Sequence, residues 1–165
     1  MIFEKANESD IKDLTELRIA FLTEDYGEIS ADKLSRISAN LPPYFRGHLN
    51  KDLFVYVCRN KGLIAGCCFL YISEKPSNPS FISGKTGTVL NVYTRPEYRK
   101  KGIARELMKM LITESEQMRL DFIELQATDN GYHLYKSLGF EDAVSKYHSM
   151  KYVTDHNNAD KKQVK

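Results

Sequence analysis

The sequence predicts an α/β fold: one mixed β-sheet with helices on both faces. Three observations carry this. Strand-like and helix-like stretches follow one another as β-α-α-β-β-β-α-β-α-β, so three consecutive strands precede an alternation. Strands joined by tight turns pair antiparallel and strands joined through a helix pair parallel, which together make a mixed sheet. The 165 residues contain no linker and no internal repeat, a length that buries roughly 70% of the unfolded surface as one domain without disulfide or metal.

Each element has its own signal. Ile2 to Ala6 reads as a first strand. Asn7-Glu8-Ser9-Asp10 is helix-start chemistry, with Asn7 or Ser9 as N-cap, and Ile11, Leu14, Leu17 and Phe21 form one helical stripe. Residues 24 to 30 are acidic, contain Gly27, and predict a loop. Ser30 is a cap for a second helix carrying Leu34, Ile37 and Leu41, which Pro42-Pro43 should end, Pro43 opening a further turn toward Leu49. Leu53 to Arg59 and Leu63 to Ser73 flank Asn60-Lys61-Gly62 and predict a hairpin. The stretch from Glu74 to Lys85, with Pro76 and Pro79, is a long loop and a candidate to close over a substrate. A strand follows over Gly87 to Thr94, and then a helix from Gly102 to about Met118, with Ile103, Leu107, Met110, Leu111 and Met118 as its stripe. Phe122 to Ala127 predicts a strand, Asn130 to Leu138 a short helix closed by Gly139, and Lys146 to Val153 a last strand. The domain is expected over 1–153, and 154–165 as a polar, disordered tail.

Composition excludes broad classes. With 42% apolar and 28% charged residues the chain is neither wholly disordered, nor collagen-like, nor a membrane protein. Its 24 basic and 22 acidic residues leave a net charge of +2, which points to neither nucleic acid nor a membrane surface. Met1-Ile2-Phe3-Glu4-Lys5 lacks the apolar stretch of a signal peptide, and no apolar run approaches the roughly 18 residues of a membrane span. Cys58, Cys67 and Cys68 have no zinc spacing and read as small buried hydrophobes; the competing reading, a nucleophilic Cys68 with a distant His, has no local motif. The four histidines are scattered and imply no metal. A reduced, cytoplasmic protein is expected, as a monomer or homodimer.

The most informative stretch is Asn91-Val92-Tyr93-Thr94-Arg95-Pro96-Glu97-Tyr98-Arg99-Lys100-Lys101-Gly102-Ile103-Ala104. A strand runs into a turn, three cations, a glycine and a helix. The first N–H groups of a helix have no internal partner, and the helix dipole favours negative charge there. Gly102 lets a ligand approach the backbone and Ala104 adds little bulk, so the site suits a pyrophosphate better than a single carboxylate. Neither the Walker spacing nor the Gly-x-Gly-x-x-Gly fingerprint is present. Taken alone, the stretch is also compatible with a basic turn before an ordinary helix.

Arg99-Lys100-Lys101-Gly102-Ile103-Ala104, with Val92-x-x-x-Pro96 before it, resembles the acetyl-coenzyme A loop of the GNAT superfamily of N-acyltransferases, Arg/Gln-x-x-Gly-x-Gly/Ala. A second stretch, Leu125 to Phe140, resembles that family's other signature, a strand and then a short helix ending Leu-Tyr-x-x-Leu-Gly-Phe. The two motifs stand in the right order, and the resemblance covers the chain from residue 2 to about 153. It implies that N–H groups from Lys100 to Arg105, Ile103 among them, hold the pyrophosphate. It also implies that Val92, Tyr93 and Thr94 pair with the pantetheine arm, that Thr128 and Asn130 lie beside that arm, and that Tyr135 protonates the leaving thiolate.

Two positions depart from the family pattern. Thr128 stands where many members carry a pantetheine-binding Asn, and Thr88 where some carry a glutamate base. A threonine cannot take a proton near neutral pH, so a base must lie elsewhere or act through water. The implied reaction is acetyl transfer from acetyl-coenzyme A (acetyl-CoA) to a small-molecule or protein amine, with no metal. An alkylammonium with a pKa of about 10.4 must first lose a proton. Glu24, Asp25 and Glu28 are candidates to attract the amine, a solvated acidic loop being the other reading of them, and Asn91 and Tyr93 to touch it. The two departures also support an alternative, a coenzyme A-binding sensor without turnover.

Overall fold

The computed structural model describes residues 1–154. The expected tail, apart from Thr154, lies outside the described residues. The strands are β1 (Ile2–Lys5), β2 (Leu53–Asn60), β3 (Leu63–Glu74), β4 (Lys85–Thr94) and β5 (Ile123–Glu124), and the helices are α1 (Ile11–Tyr26), α2 (Ala31–His48), α3 (Ile103–Gln117) and α4 (Asp129–Ser137). The sheet order is β1-β2-β3-β4-β5. The first four strands run antiparallel, and β5 joins β4 parallel through α3. The sheet is therefore mixed, as the order of elements predicts.

The helices cover both faces. Leu14, Leu17 and Phe45 of α1 and α2 pack on Val55, Val57, Cys67, Phe69 and Tyr93. Ile103, Leu107, Met108 and Leu111 of α3 pack on Tyr56, Cys58, Cys68, Leu70 and Val89. β2 and β3 are buried on both sides, which is why they read as continuous apolar runs rather than as an alternation. Met108, not Met110, completes the fully buried stripe of α3; Met110 is only partly buried. The hairpin turn is the two-residue Lys61-Gly62, with φ of 50° and 84°, the backbone that a type I′ turn needs. Asn7 caps the chain's entry to α1 through a capping box with Asp10 across a single 3-10 turn.

Five expectations are corrected. α1 continues through Tyr26, so Glu24 and Asp25 lie on a helix and the loop shortens to residues 27–30. Ser30 makes no side-chain cap bond, and α2 runs unbroken through Pro42 and Pro43. Leu41 packs on the core, Phe45 is 1% exposed and meets Phe69 edge-on, and Leu49 is buried just beyond. Burying each contributes about 1.5–3 kcal/mol, which offsets the two hydrogen bonds that the prolines cannot make. β5 pairs only over Ile123–Glu124 instead of 122–127. No strand forms over 146–153, since the sheet edge left by so short a β5 offers little to pair with.

The 75–84 loop is pinned rather than free. Lys75 N–H donates to Gly84 O, Ser83 donates to the Asp121 carboxylate, and Phe81 packs edge-on against Phe122. It is thereby fastened to the approach to β5.

Candidate active site

The site begins with an irregularity in β4. The β3–β4 register shifts between Cys67 and Phe69, and Asn91 on β4 has φ 51°. This is a bulge, which bends a strand and changes which residues face each side. Before it, Thr88 lies opposite Tyr71; after it, Tyr93 lies opposite Cys67. β4 and β5 pair only at Gly87↔Ile123 and Thr88↔Glu124, so beyond Thr88 the two parallel strands separate. Among the described residues the β5-facing edge of β4 has no strand neighbour along Val89 to Thr94, so the end of the pairing leaves an opening between the two chain segments.

The phosphate loop closes one end of this opening. Lys100 has φ 58° and Gly102 φ 78°, and α3 makes its first hydrogen bond from Glu106 N–H to Gly102 O. Among the described residues the N–H groups of Lys100 through Arg105 have no backbone partner. Thr94, Tyr98, Arg99, Gly102, Ile103 and Leu134 help to line a cavity of about 340 Å³ over these groups. Thr94 Oγ1 is buried without a hydrogen-bond partner, and the space where a Gly102 Cβ would stand is open. A polar atom left in this state, beside a row of free N–H donors, fits a polar, anionic ligand such as a coenzyme's pyrophosphate.

The flanking side chains are already engaged. Arg99 donates to Thr94 O and pairs with Glu24 at 2.6 Å, and its guanidinium lies over the Tyr93 ring. Lys101 donates to Glu97 O and stands over Tyr98. Arg105 donates to Ser137 Oγ at 2.7 Å, tying α3 to α4.

α4 stands along the far side of the opening. Leu134 faces the phosphate cavity, and Tyr135 lines a separate cavity of about 780 Å³ with Leu125, Ala127 and Phe140. The Tyr135 ring packs edge-on against Phe140 at 5.9 Å. Burial, with Cys68 nearby, pushes its phenol up to about 12, so the group keeps its proton. Thr128 is the N-cap residue of α4 without a side-chain cap bond, and Thr128 and Asn130 are both exposed and outside the phosphate cavity.

A third cavity, about 820 Å³, lies between α1 and α2 and is lined by Arg18, Leu22, Tyr26, Lys33, Ile37 and Leu41 among others. Arg18 Nη1 donates to Asn91 Oδ1 at 3.1 Å, and Asn91 Nδ2 reaches Cys67 Sγ at 3.4 Å. A side chain of α1 thus reaches the bulge itself. Arg18 is a site residue that was not legible in the sequence; it falls between the apolar stripe positions of α1, with no local motif to mark it.

Cys58, Cys67 and Cys68 are free and buried. Burial pushes the Cys67 thiol up to about 12 and Cys68 well above its ordinary value. Neither supplies thiolate near neutral pH, which removes the reading of Cys68 as nucleophile. Among the described residues no His, Cys, Asp and Glu cluster could hold a metal, and no helix is long and apolar enough to cross a membrane.

The model of the acetyltransferase (GNAT) domain matches residues 51–142, more than half of the chain. The chain belongs to the GNAT acetyltransferases. As a GNAT protein it is similar to a predicted acetyltransferase of Clostridium acetobutylicum solved with acetyl-CoA: 26% identity, 91% of this chain and 95% of that one covered, TM-score 0.80. It shares its fold with a GCN5-related N-acetyltransferase of Ralstonia eutropha JMP134, at 23% identity, with 90% and 97% covered and a TM-score of 0.76. Glucosamine-6-phosphate N-acetyltransferase of Arabidopsis thaliana has the same fold at 18% identity, with 93% and 98% covered and a TM-score of 0.62. No curated protein matches the chain. The GNAT fold and membership of an acyltransferase family are thereby established, and acetyl-CoA is the family's acyl donor.

Proposed function

We propose that this GNAT protein transfers an acetyl group from acetyl-CoA to a primary amine by direct attack in a ternary complex. The observation that carries the reading is the parting of β4 from β5. It leaves a strand edge with a row of free helix N–H groups at one end and the α1–α2 cavity on the adjoining face. Acetyl-CoA supplies the acyl group as a thioester. The N–H groups from Lys100 to Arg105 hold its pyrophosphate, and the edge from Val92 to Thr94 aligns its pantetheine arm and offers a donor to the carbonyl oxygen as it gains charge.

Two side chains handle protons. The phenol of Tyr135, protonated up to about pH 12, donates toward the departing sulfur. Thr88 cannot act as base, but Glu124 is its register partner on the neighbouring parallel strand, and such partners point to the same face. That face is shared with Tyr71, on the side of α1 and α2. Glu124, which also lines the cavity that holds Tyr135, takes the amine's proton in this reading, directly or through water. The buried free cysteines suit a reducing, cytoplasmic setting.

The test is thiol release from acetyl-CoA against a panel of amines, with mass spectrometry of the acetylated product. Acetylated amine with stoichiometric free coenzyme is the expected result. Tight coenzyme binding without turnover of any amine would instead favour the sensor reading.

A further inference from the structure

Arg18 occupies an unusual position for a cation. It is partly buried, its guanidinium lies over the Phe21 ring at 5.5 Å, and its hydrogen bond goes to a neutral amide, Asn91 Oδ1. No carboxylate among the described residues lies within 4 Å of it. Burial lowers its pKa, with Tyr26, Cys67, Tyr44 and Asp25 opposing that effect only in part. Asp25 makes no ion pair with it, and Glu24 is taken by Arg99. The cavity above it is walled by Leu22, Tyr26, Ile37 and Leu41, and its charged lining is Arg18 and Lys33 against Glu28 alone. A partly buried guanidinium is less stable without an anion, and its planar fork retains donors that Asn91 does not use.

We infer that Arg18 binds a carboxylate of the acyl acceptor, and that the acceptor is a primary amine bearing a free carboxylate and an apolar side chain. The inference rests on the acetyl-transfer reading above and names the substrate class of that site. The geometry sets the order of the groups. Asn91, which Arg18 touches, is on the bulge and immediately precedes Val92 to Thr94, the edge proposed to align the thioester. In an α-amino acid the carboxylate and amine are joined through a single carbon. A carboxylate on Arg18 therefore sets the amine beside that edge, and the side chain enters the apolar space between α1 and α2. A lysine side chain within a protein lacks the free carboxylate, and a polyamine would meet two cations in the cavity lining. Both are poorer fits.

The experiment sets leucine, methionine and phenylalanine each against its own carboxamide, at equal concentrations of free amine, with acetyl-CoA and thiol release as readout. A charge-assisted, two-point contact predicts that the acid is preferred by about ten- to a hundredfold in kcat/KM. In Arg18→Ala that preference should fall toward unity, and Arg18→Lys should restore part of it, since an ammonium keeps the charge but not the fork. A retained rise in melting temperature with acetyl-CoA checks that each variant folds. Calorimetry of leucine binding to the coenzyme A-saturated protein gives a readout without turnover. If no amine is acetylated but leucine binds in an Arg18-dependent way, acetyl transfer fails and the carboxylate site stands. If wild type accepts the carboxamides as readily as the acids, or Arg18→Ala keeps the preference, the carboxylate site is overturned while acetyl transfer stands. Absence of both turnover and Arg18-dependent binding overturns the inference as well.

Discussion

Tyr135 illustrates how one residue can be positioned by packing and used for its polar end. Its ring is held between Phe140 and the backbone at Gly131, where a Cβ would come within 2.8 Å of the ring. Its phenol, pushed up to about 12, stays protonated through any ordinary working range. Tyr135→Phe keeps the ring and removes the proton, so kcat should fall by about 10²-fold, the low end for general acid catalysis, because a thiolate leaves readily near its own pKa. Affinity for coenzyme A should hold. The sign for pH follows from the upward shift. The donor is intact below about 12, so an alkaline fall in rate near pH 10 that vanishes in Tyr135→Phe would contradict this assignment. Glu124 is tested apart from it. Glu124→Gln keeps size and polarity but cannot accept a proton, and should lower kcat by about 10²-fold while the loss narrows as pH rises and more amine arrives unprotonated. A Glu124→Gln enzyme at the wild-type rate across that range, with chemistry limiting, removes Glu124 from the mechanism.

At the scale of the element, the bulge in β4 decides most of the site. Asn91 is 4% exposed, has φ 51°, and uses its amide to hold Arg18 and Cys67. Asn tolerates this backbone better than most residues. Asn91→Ala should cost about 2–4 kcal/mol, from backbone strain and from polar partners left unpaired, seen in chemical denaturation. It should also raise KM for the acceptor more than for acetyl-CoA, because the phosphate loop lies beyond the bulge. Equal effects on both substrates would mean that the bulge does not separate them. The bulge also marks what a sequence can and cannot disclose. Lys61-Gly62 and Arg99 to Ala104 were legible because their signals are local: a turn dipeptide, and cations with glycine at a helix start. The Arg18–Asn91 contact spans 73 positions and has no motif. The break expected at Pro42-Pro43 fails for a similar reason, since what carries α2 through them is the burial of Phe45 against β3. β5 reads as six residues of strand from composition, but its pairing length is set by where β4 bends away.

At the scale of the molecule, α1, β4, α3 and α4 converge on one opening, and ligand binding there should be felt by the whole fold. A ligand present at about a hundred times its Kd, and bound only by the folded state, adds about 2.7 kcal/mol. For a chain of this size that raises Tm by about 5–10 °C. The Glu24–Arg99 pair also joins α1 to the phosphate loop, but its side chains are 52% and 40% exposed. An exposed pair of that kind contributes about 0–1 kcal/mol, so Arg99→Ala should leave most of the acetyl-CoA shift in place. The free N–H groups at the start of α3 should matter more. Gly102→Glu directs a carboxylate toward them from a position with open space around it, and Gly102→Ala imposes the same φ of 78° without the charge. Both variants should lose a similar amount of stability without ligand. Only the glutamate should abolish the acetyl-CoA shift, because repulsion of the pyrophosphate, not backbone strain, is what it adds. A folded Gly102→Glu that binds acetyl-CoA as wild type does would move the pyrophosphate away from α3, and the alignment of the thioester with Val92 to Thr94 would have to be rebuilt from another anchor.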